Sequence, residues 1–323
     1  MRLFHREKYL SKVRGFYHDD GMIKVVTGVR RCGKSCLMRS IAEELKAEAV
    51  DDKNILFLDL DRYGFQSVKT PDALERLIEP LLAVPGMKYV FIDEIQNVKG
   101  FEEVVNEFRN EGGFSIFITG SNSYLLSGEL STKLTGRYIE VEMQTLDFGE
   151  YCEMKRFLGQ SVNPNLVAEL DSYILEGGFP KALDYPELAD KRAYVASVIK
   201  EIFEKDIRGY VKVKNVSVFN LVRDYVINNF GATMSLANIR ADLESKQGIR
   251  IKRETLTRYL QILEDAKIIS RCTRFEIAQV PAGGAGVLPC RPRLLLCAQH
   301  RQPHQLRPSA GEHRLLICEG PGV

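Results

Sequence analysis

Between the apolar run MIKVV (22–26) and the segment CLMRSIAEELKAEA (36–49) lie the residues GVRRCGKS, 28–35. Gly28, Gly33, Lys34 and Ser35 satisfy the pattern G-x-x-x-x-G-K-[ST] in full. The run before it reads as a short buried strand. The segment after it places Leu37, Ile41 and Leu45 at helical spacing. A glycine-rich loop between a strand and a helix turns its backbone N–H groups inward, and the helix N-terminus adds favourable dipole charge for an anion. The loop therefore reads as a phosphate cradle formed by Gly28, Val29, Arg30, Arg31, Cys32, Gly33, Lys34, Ser35 and Cys36. In it Lys34 is expected to reach the β- and γ-phosphates of ATP, and Ser35 to ligate Mg²⁺. The side chains of Arg30 and Arg31 read as a solvated face, and those of Cys32 and Cys36 as ordinary loop or packing residues.

A second apolar run, MKYVFIDEIQNV (87–98), ends in Asp93 and Glu94. An acid at the C-terminal tip of a parallel strand can hold the metal, and the next acid can polarise an attacking water. Asp93 is assigned to Mg²⁺ and Glu94 to the general base. KNILFLDLDRY (53–63) is an earlier strand whose Asp59 and Asp61 read as structural or near the site rather than catalytic. GFSIFITGSNSYLL (113–126) is a further strand with a polar tip, where Ser121 or Asn122 is placed to sense the γ-phosphate or position water. LSTKLTGRYIEVEM (130–143) then presents Arg137 after a helix-like segment, where it could face the phosphates of its own site or of a neighbour, or form a structural ion pair. Strands alternating with helices imply an α/β fold, a parallel P-loop sheet with helices on both faces.

Six segments together carry a resemblance: TGVRRCGKS, FIDEIQ, FITGSNSYLL, LTGRYIEVEM, LDFGEY and EGGFPKAL. Over about residues 1–278 the chain resembles prokaryotic ATPases of the archaeal-type AAA family, P-loop proteins of the AAA+/STAND kind. The C-terminal half of that family is called domain of unknown function 4143 (DUF4143). The resemblance implies that Gly28–Ser35 is the Walker A loop and Asp93–Glu94 the Walker B pair. It also places Ser121 and Asn122 at the first sensor, and makes Arg137 the arginine of the family's L-x-G-R segment. Expected catalytic residues are thus Glu94, Lys34, Asn122 and Arg137, with ATP and Mg²⁺ as cofactors.

Residues 1–146 read as the ATPase core and 147–210 as a helical lid, the latter including a long helix over 191–210. Residues 211–278 follow the winged-helix order of two helices, a recognition-like helix and a hairpin. Arg250, Lys252, Arg253, Thr255, Thr257 and Arg258 suit phosphate contacts at the third helix, although winged helices also dock proteins. From 279 to 323 the composition shifts abruptly: residues 281–323 hold six of the 12 prolines and no Lys, Asp, Phe or Tyr. This tail reads as an out-of-frame, unstructured segment replacing the family's C-terminal domain.

The whole-chain balance narrows the remaining choices. A net charge of +2 gives no global argument for nucleic-acid binding. Seven scattered cysteines without framework spacing fit a reducing cytoplasm, and no apolar run is long enough to span a membrane. Two functions follow. One is an ATPase that converts ATP and water to ADP and phosphate and drives a conformational change. The other is a nucleotide-gated module that docks DNA or a protein with little turnover.

Overall fold

The computed structural model describes residues 3–120, 134, 136–207, 213, 215–229 and 234–269. Its centre is a five-stranded parallel sheet: β1 (Ile23–Gly28), β2 (Ile55–Asp59), β3 (Lys88–Asp93), β4 (Phe114–Thr119) and β5 (Tyr138–Met143). The order across the sheet is β2-β3-β4-β1-β5. Every residue of β1 and β4 is buried, as expected for central strands covered on both faces.

Alternation along the strands feeds two separate cores. Ile23, Val25, Val90, Ile92, Ile116 and Ile118 pack with helices α3 (Pro71–Ile78) and α4 (Phe101–Glu111). Val26, Phe91, Phe117, Val141 and Met143 pack on the other face with α1 (Glu7–Val13) and α2 (Lys34–Ala47). There Phe91 stacks on Phe117 with ring centroids 4.7 Å apart. The parallel sheet with helices on both faces is therefore as the sequence implies.

The chain continues through α5 (Phe148–Phe157), α6 (Leu166–Glu176) and α7 (Leu188–Glu201). Asp147 caps α5 in a reciprocal capping box with Glu150. The segments LDFGEY and EGGFPKAL meet here. The Leu146 N–H donates to the Gly178 carbonyl at 2.7 Å, and a Cβ on Gly178 would lie 2.5 Å from the Leu146 carbonyl oxygen. Only glycine permits that approach.

The long helix expected over 191–210 is divided. Its α-helical part ends at Glu201, and a π-helical turn, Ile202–Ile207, follows. Through Phe203, which lies against Phe219 with centroids 5.5 Å apart, this turn joins the core to α8 (Val216–Asn228), α9 (Leu236–Gln247) and α10 (Arg253–Asp265). Phe219 also meets Tyr259 of α10 edge-on at 5.2 Å. The three helices of the expected winged-helix segment are present. Its hairpin, and the tail at 279–323, lie outside the described residues.

Candidate functional site

Because β4 lies between β1 and β3, the C-terminal tips of these three strands converge on the loop after β1. Gly28 ends β1 with φ 145°, and a Cβ there would lie 2.4 Å from the Met143 carbonyl oxygen. Gly33 (φ 107°) caps α2 in the left-handed region. The Lys34 side chain is buried, and its Nζ donates to the carbonyls of Gly28 (3.0 Å) and Val29 (3.3 Å). It has thus folded back across the loop. A buried ammonium held by two neutral carbonyls suits an anion that can replace them.

Behind the loop, the Ser35 hydroxyl bonds to the Asp93 carboxylate, whose other hydroxyl partner is Thr119 Oγ1, donating to Asp93 Oδ1 at 2.5 Å. Asp93 is buried. That burial is the largest influence on its carboxyl and raises its pKa against the lowering effect of the two hydroxyls; Glu94 and Asp59 add to the rise. An all-oxygen set of one buried carboxylate and one hydroxyl, beside a phosphate loop, fits Mg²⁺, which keeps several waters and takes phosphate oxygens as further ligands. Among the described residues no group of three or more His, Cys, Asp or Glu side chains forms a metal cage.

Glu94 adopts the left-handed conformation (φ 57°), which costs a non-glycine residue on the order of 1 kcal/mol or more. Its N–H donates to Thr119 Oγ1 at 3.0 Å, and its Oε2 accepts from Gln96 Nε2. Thr119 therefore links both acids at once. Sequence reading placed the polar tip of β4 at Ser121 and Asn122, which lie outside the described residues. Among the described residues, Thr119, the last residue of the strand itself, touches both acids. Its hydroxyl at the C-terminal end of the strand FSIFIT was the available signal. Asp59 pairs across the strands with Asp93, beside the site, and is held by Arg62 (3.1 Å) and Arg39 (3.9 Å).

Two expectations are corrected. Arg137 cannot face the phosphates of its own site. Its carbonyl accepts from Ile23 N–H at 2.9 Å at the start of β1, while the loop lies at the strand's other end, roughly 20 Å away at about 3.3 Å per residue. The arginine is exposed at the opposite end of the sheet. Nor is Arg30 part of a solvated face, and Arg31, although exposed, is paired. Arg31 Nε and an Nη each lie 3.3 Å from Glu201 Oε2, and an Arg30 Nη lies 3.9 Å from Glu201 Oε1. Partial burial alone would raise the Glu201 pKa, but Arg31, Lys205 and Arg30 together hold it below the ordinary carboxylate value.

Cys32 is fully buried, burial pushes its thiol pKa up, and Cys36 is exposed; neither belongs to a disulfide. The Cys32 carbonyl instead accepts from Arg6 at 3.0 Å. Arg6 spends its other donors on Gln144 and Thr145 carbonyls and on both oxygens of Glu150. Arg6 and Glu201 were not found from sequence, because no local pattern marks either one.

Comparison with known proteins agrees with this geometry. Residues 20–152 match the AAA domain family, and residues 167–285 match a domain of unknown function (DUF8612). The second match differs from the expected DUF4143. An uncharacterized protein of Haemophilus influenzae is 32% identical over 277 residues, covering 85% of this chain and 68% of its own length. One from Methanocaldococcus jannaschii is 30% identical over 263 residues, covering 78% of this chain and 57% of its own. Among solved structures, the Walker-type ATPase of Pyrococcus abyssi superposes with a TM-score of 0.58 at 16% identity, over 83% of this chain and 91% of that one. By its sheet order, its phosphate loop and these matches, residues 20–152 form an AAA domain of P-loop fold, and the chain as a whole belongs to one family with the uncharacterized Haemophilus influenzae protein.

Proposed function

We propose that this protein binds ATP with Mg²⁺ at the loop 28–35 and hydrolyses it to drive a conformational change. The observation that carries the proposal is the Ser35–Asp93–Thr119 cluster, which sits directly behind the loop and orients both acids. The phosphates lie on the loop N–H groups and on Lys34, which leaves the Gly28 and Val29 carbonyls to meet them. Ser35 and Asp93 would hold Mg²⁺, which when bound would offset charge on the phosphate oxygens. Glu94, released from Gln96, takes the proton of the attacking water, and Thr119 fixes its backbone. Asn122 follows Thr119 on the same chain segment and is assigned to the γ-phosphate. Exposed Arg137 serves the site of a neighbouring copy rather than its own.

The process coupled to turnover is carried by the C-terminal helices. Lys252, Arg253, Thr257 and Arg258 are exposed at and around the start of α10, and Thr255 is half-buried. Arg250 is paired with Glu244 at 2.6 Å. This exposed basic and hydroxyl group favours a second reading, a nucleotide-gated module that docks duplex DNA with little turnover.

Phosphate release by the wild type, Lys34→Ala and Glu94→Gln, with and without duplex DNA, separates the two readings. Turnover lost in both variants supports the ATPase, and stimulation by DNA supports a DNA-coupled one. Binding without turnover, abolished by Lys34→Ala, supports the gated module. A folded wild type that neither binds nor hydrolyses ATP rejects both. Mixing Lys34→Ala with Arg137→Ala restores turnover if the arginine acts between copies, because one variant then supplies the arginine and the other the intact loop.

A further inference from the structure

We propose that Glu201 is a positioning residue for the phosphate loop, holding Arg31 in the left-handed turn that keeps the loop N–H groups facing the phosphates. The proposal rests on the nucleotide-binding reading above.

Three observations converge. Arg31 has φ 65°, a conformation that a side chain with a Cβ adopts rarely and that needs outside support. A left-handed residue within a run of loop amides is also the geometry that opens an anion-binding concavity. The support comes from one carboxylate: Glu201 Oε2 lies 3.3 Å from two Arg31 nitrogens, and Oε1 lies 3.9 Å from Arg30. Finally, Glu201 is the last α-helical residue before the π-helical turn Ile202–Ile207, a type of irregularity that often marks functional positions.

The contact gives the loop a mechanical partner. Phe203, within the turn, packs on Phe219 of α8. The loop conformation and the position of the C-terminal helices are thereby linked through Glu201. Linkage is reciprocal, so phosphates that favour the ordered loop also favour the α7 position that holds it.

Calorimetric affinities for ATP and for adenosine, measured on the full chain, test the proposal with Glu201→Gln, Arg31→Gly and the double variant. Glycine takes φ near 65° unaided, so the loop of Arg31→Gly no longer needs its clamp. Glu201→Gln should weaken ATP about fivefold or more and leave adenosine unchanged within about twofold. In the Arg31→Gly background, the same glutamine substitution should leave ATP affinity unchanged. Equal ATP affinity in wild type and Glu201→Gln overturns the proposal, as does an undiminished loss in the glycine background. A merely structural role would weaken both ligands together. If the wild type binds no ATP, the nucleotide reading fails on its own. Amide hydrogen exchange across 28–35 of the ligand-free protein then decides the clamp: faster exchange in Glu201→Gln supports it, and equal exchange overturns it.

Discussion

Arg6 and Arg31 both tie the phosphate loop to a carboxylate on a helix far along the chain, yet the two contacts are built differently. The Arg6 and Glu150 side chains are 5% and 8% exposed, and all five guanidinium N–H groups find acceptors between 2.6 and 3.2 Å. The Arg31 and Glu201 side chains are 56% and 24% exposed, and their nitrogens and oxygens stand 3.3 Å apart. A buried, fully bonded pair resists any rearrangement, because removing one partner leaves the other charged and unpaired. A half-exposed pair exchanges its bonds with water at little loss. The loop is thus riveted from beneath, through the Cys32 carbonyl, and held adjustably from the side. A fixed floor and a movable wall suit a loop that must stay assembled while sensing its ligand.

The largest effect is expected beneath the loop. Arg6→Ala should destabilise the protein by about 3–5 kcal/mol in chemical denaturation, since Glu150 is left buried without its partner. A loss below about 1 kcal/mol, the range of surface pairs, would erase the contrast.

Lys24 sharpens it. This buried lysine in β1 donates to the Asp19 and Met22 carbonyls and to Ser115 Oγ, with no carboxylate among those acceptors. Burial lowers its pKa to about 8 from an ordinary 10.5, against the opposing pull of Asp19 and Asp20. Between those values the unfolded chain binds more protons than the folded one, so this group makes stability rise with pH across that window. Relative to Lys24→Met, the wild type should gain on the order of 3 kcal/mol between pH 8 and pH 10.5. A flat difference curve would mean that the ammonium is as well solvated by its three oxygens as by water.

The smallest stability effect belongs to the adjustable contact. Glu201→Gln should shift global stability by less than about 1 kcal/mol, even where it changes phosphate affinity. A loss as large as that of Arg6→Ala would make Glu201 a second rivet rather than a movable wall.

The same division explains what could be read from sequence. The loop 28–35 and the Asp93–Glu94 pair were legible because their chemistry is fixed by residues adjacent in the chain. Thr119 was not singled out, because its role depends on β3 and β4 lying side by side, with Ile92 opposite Ile118. Arg137 was legible as an arginine after a helix-like segment, but spacing does not say at which end of the sheet it stands. The pairing of Ile23 with Tyr138 decides it. Arg6 and Glu201 find their partners 144 and 170 residues away, at separations where no sequence period survives. The C-terminal helices were legible as helices. The division of the 191–210 helix at Glu201 was not, since IFEKDI has no proline or glycine to announce it.

Calorimetric titration of the folded protein with ATP and Mg²⁺, repeated on Lys34→Ala, tests the central claim most directly. Saturable one-site binding by the wild type, lost in the variant while its fold is retained, is the predicted result. Equal binding by both proteins, or no binding by a folded wild type, would contradict it.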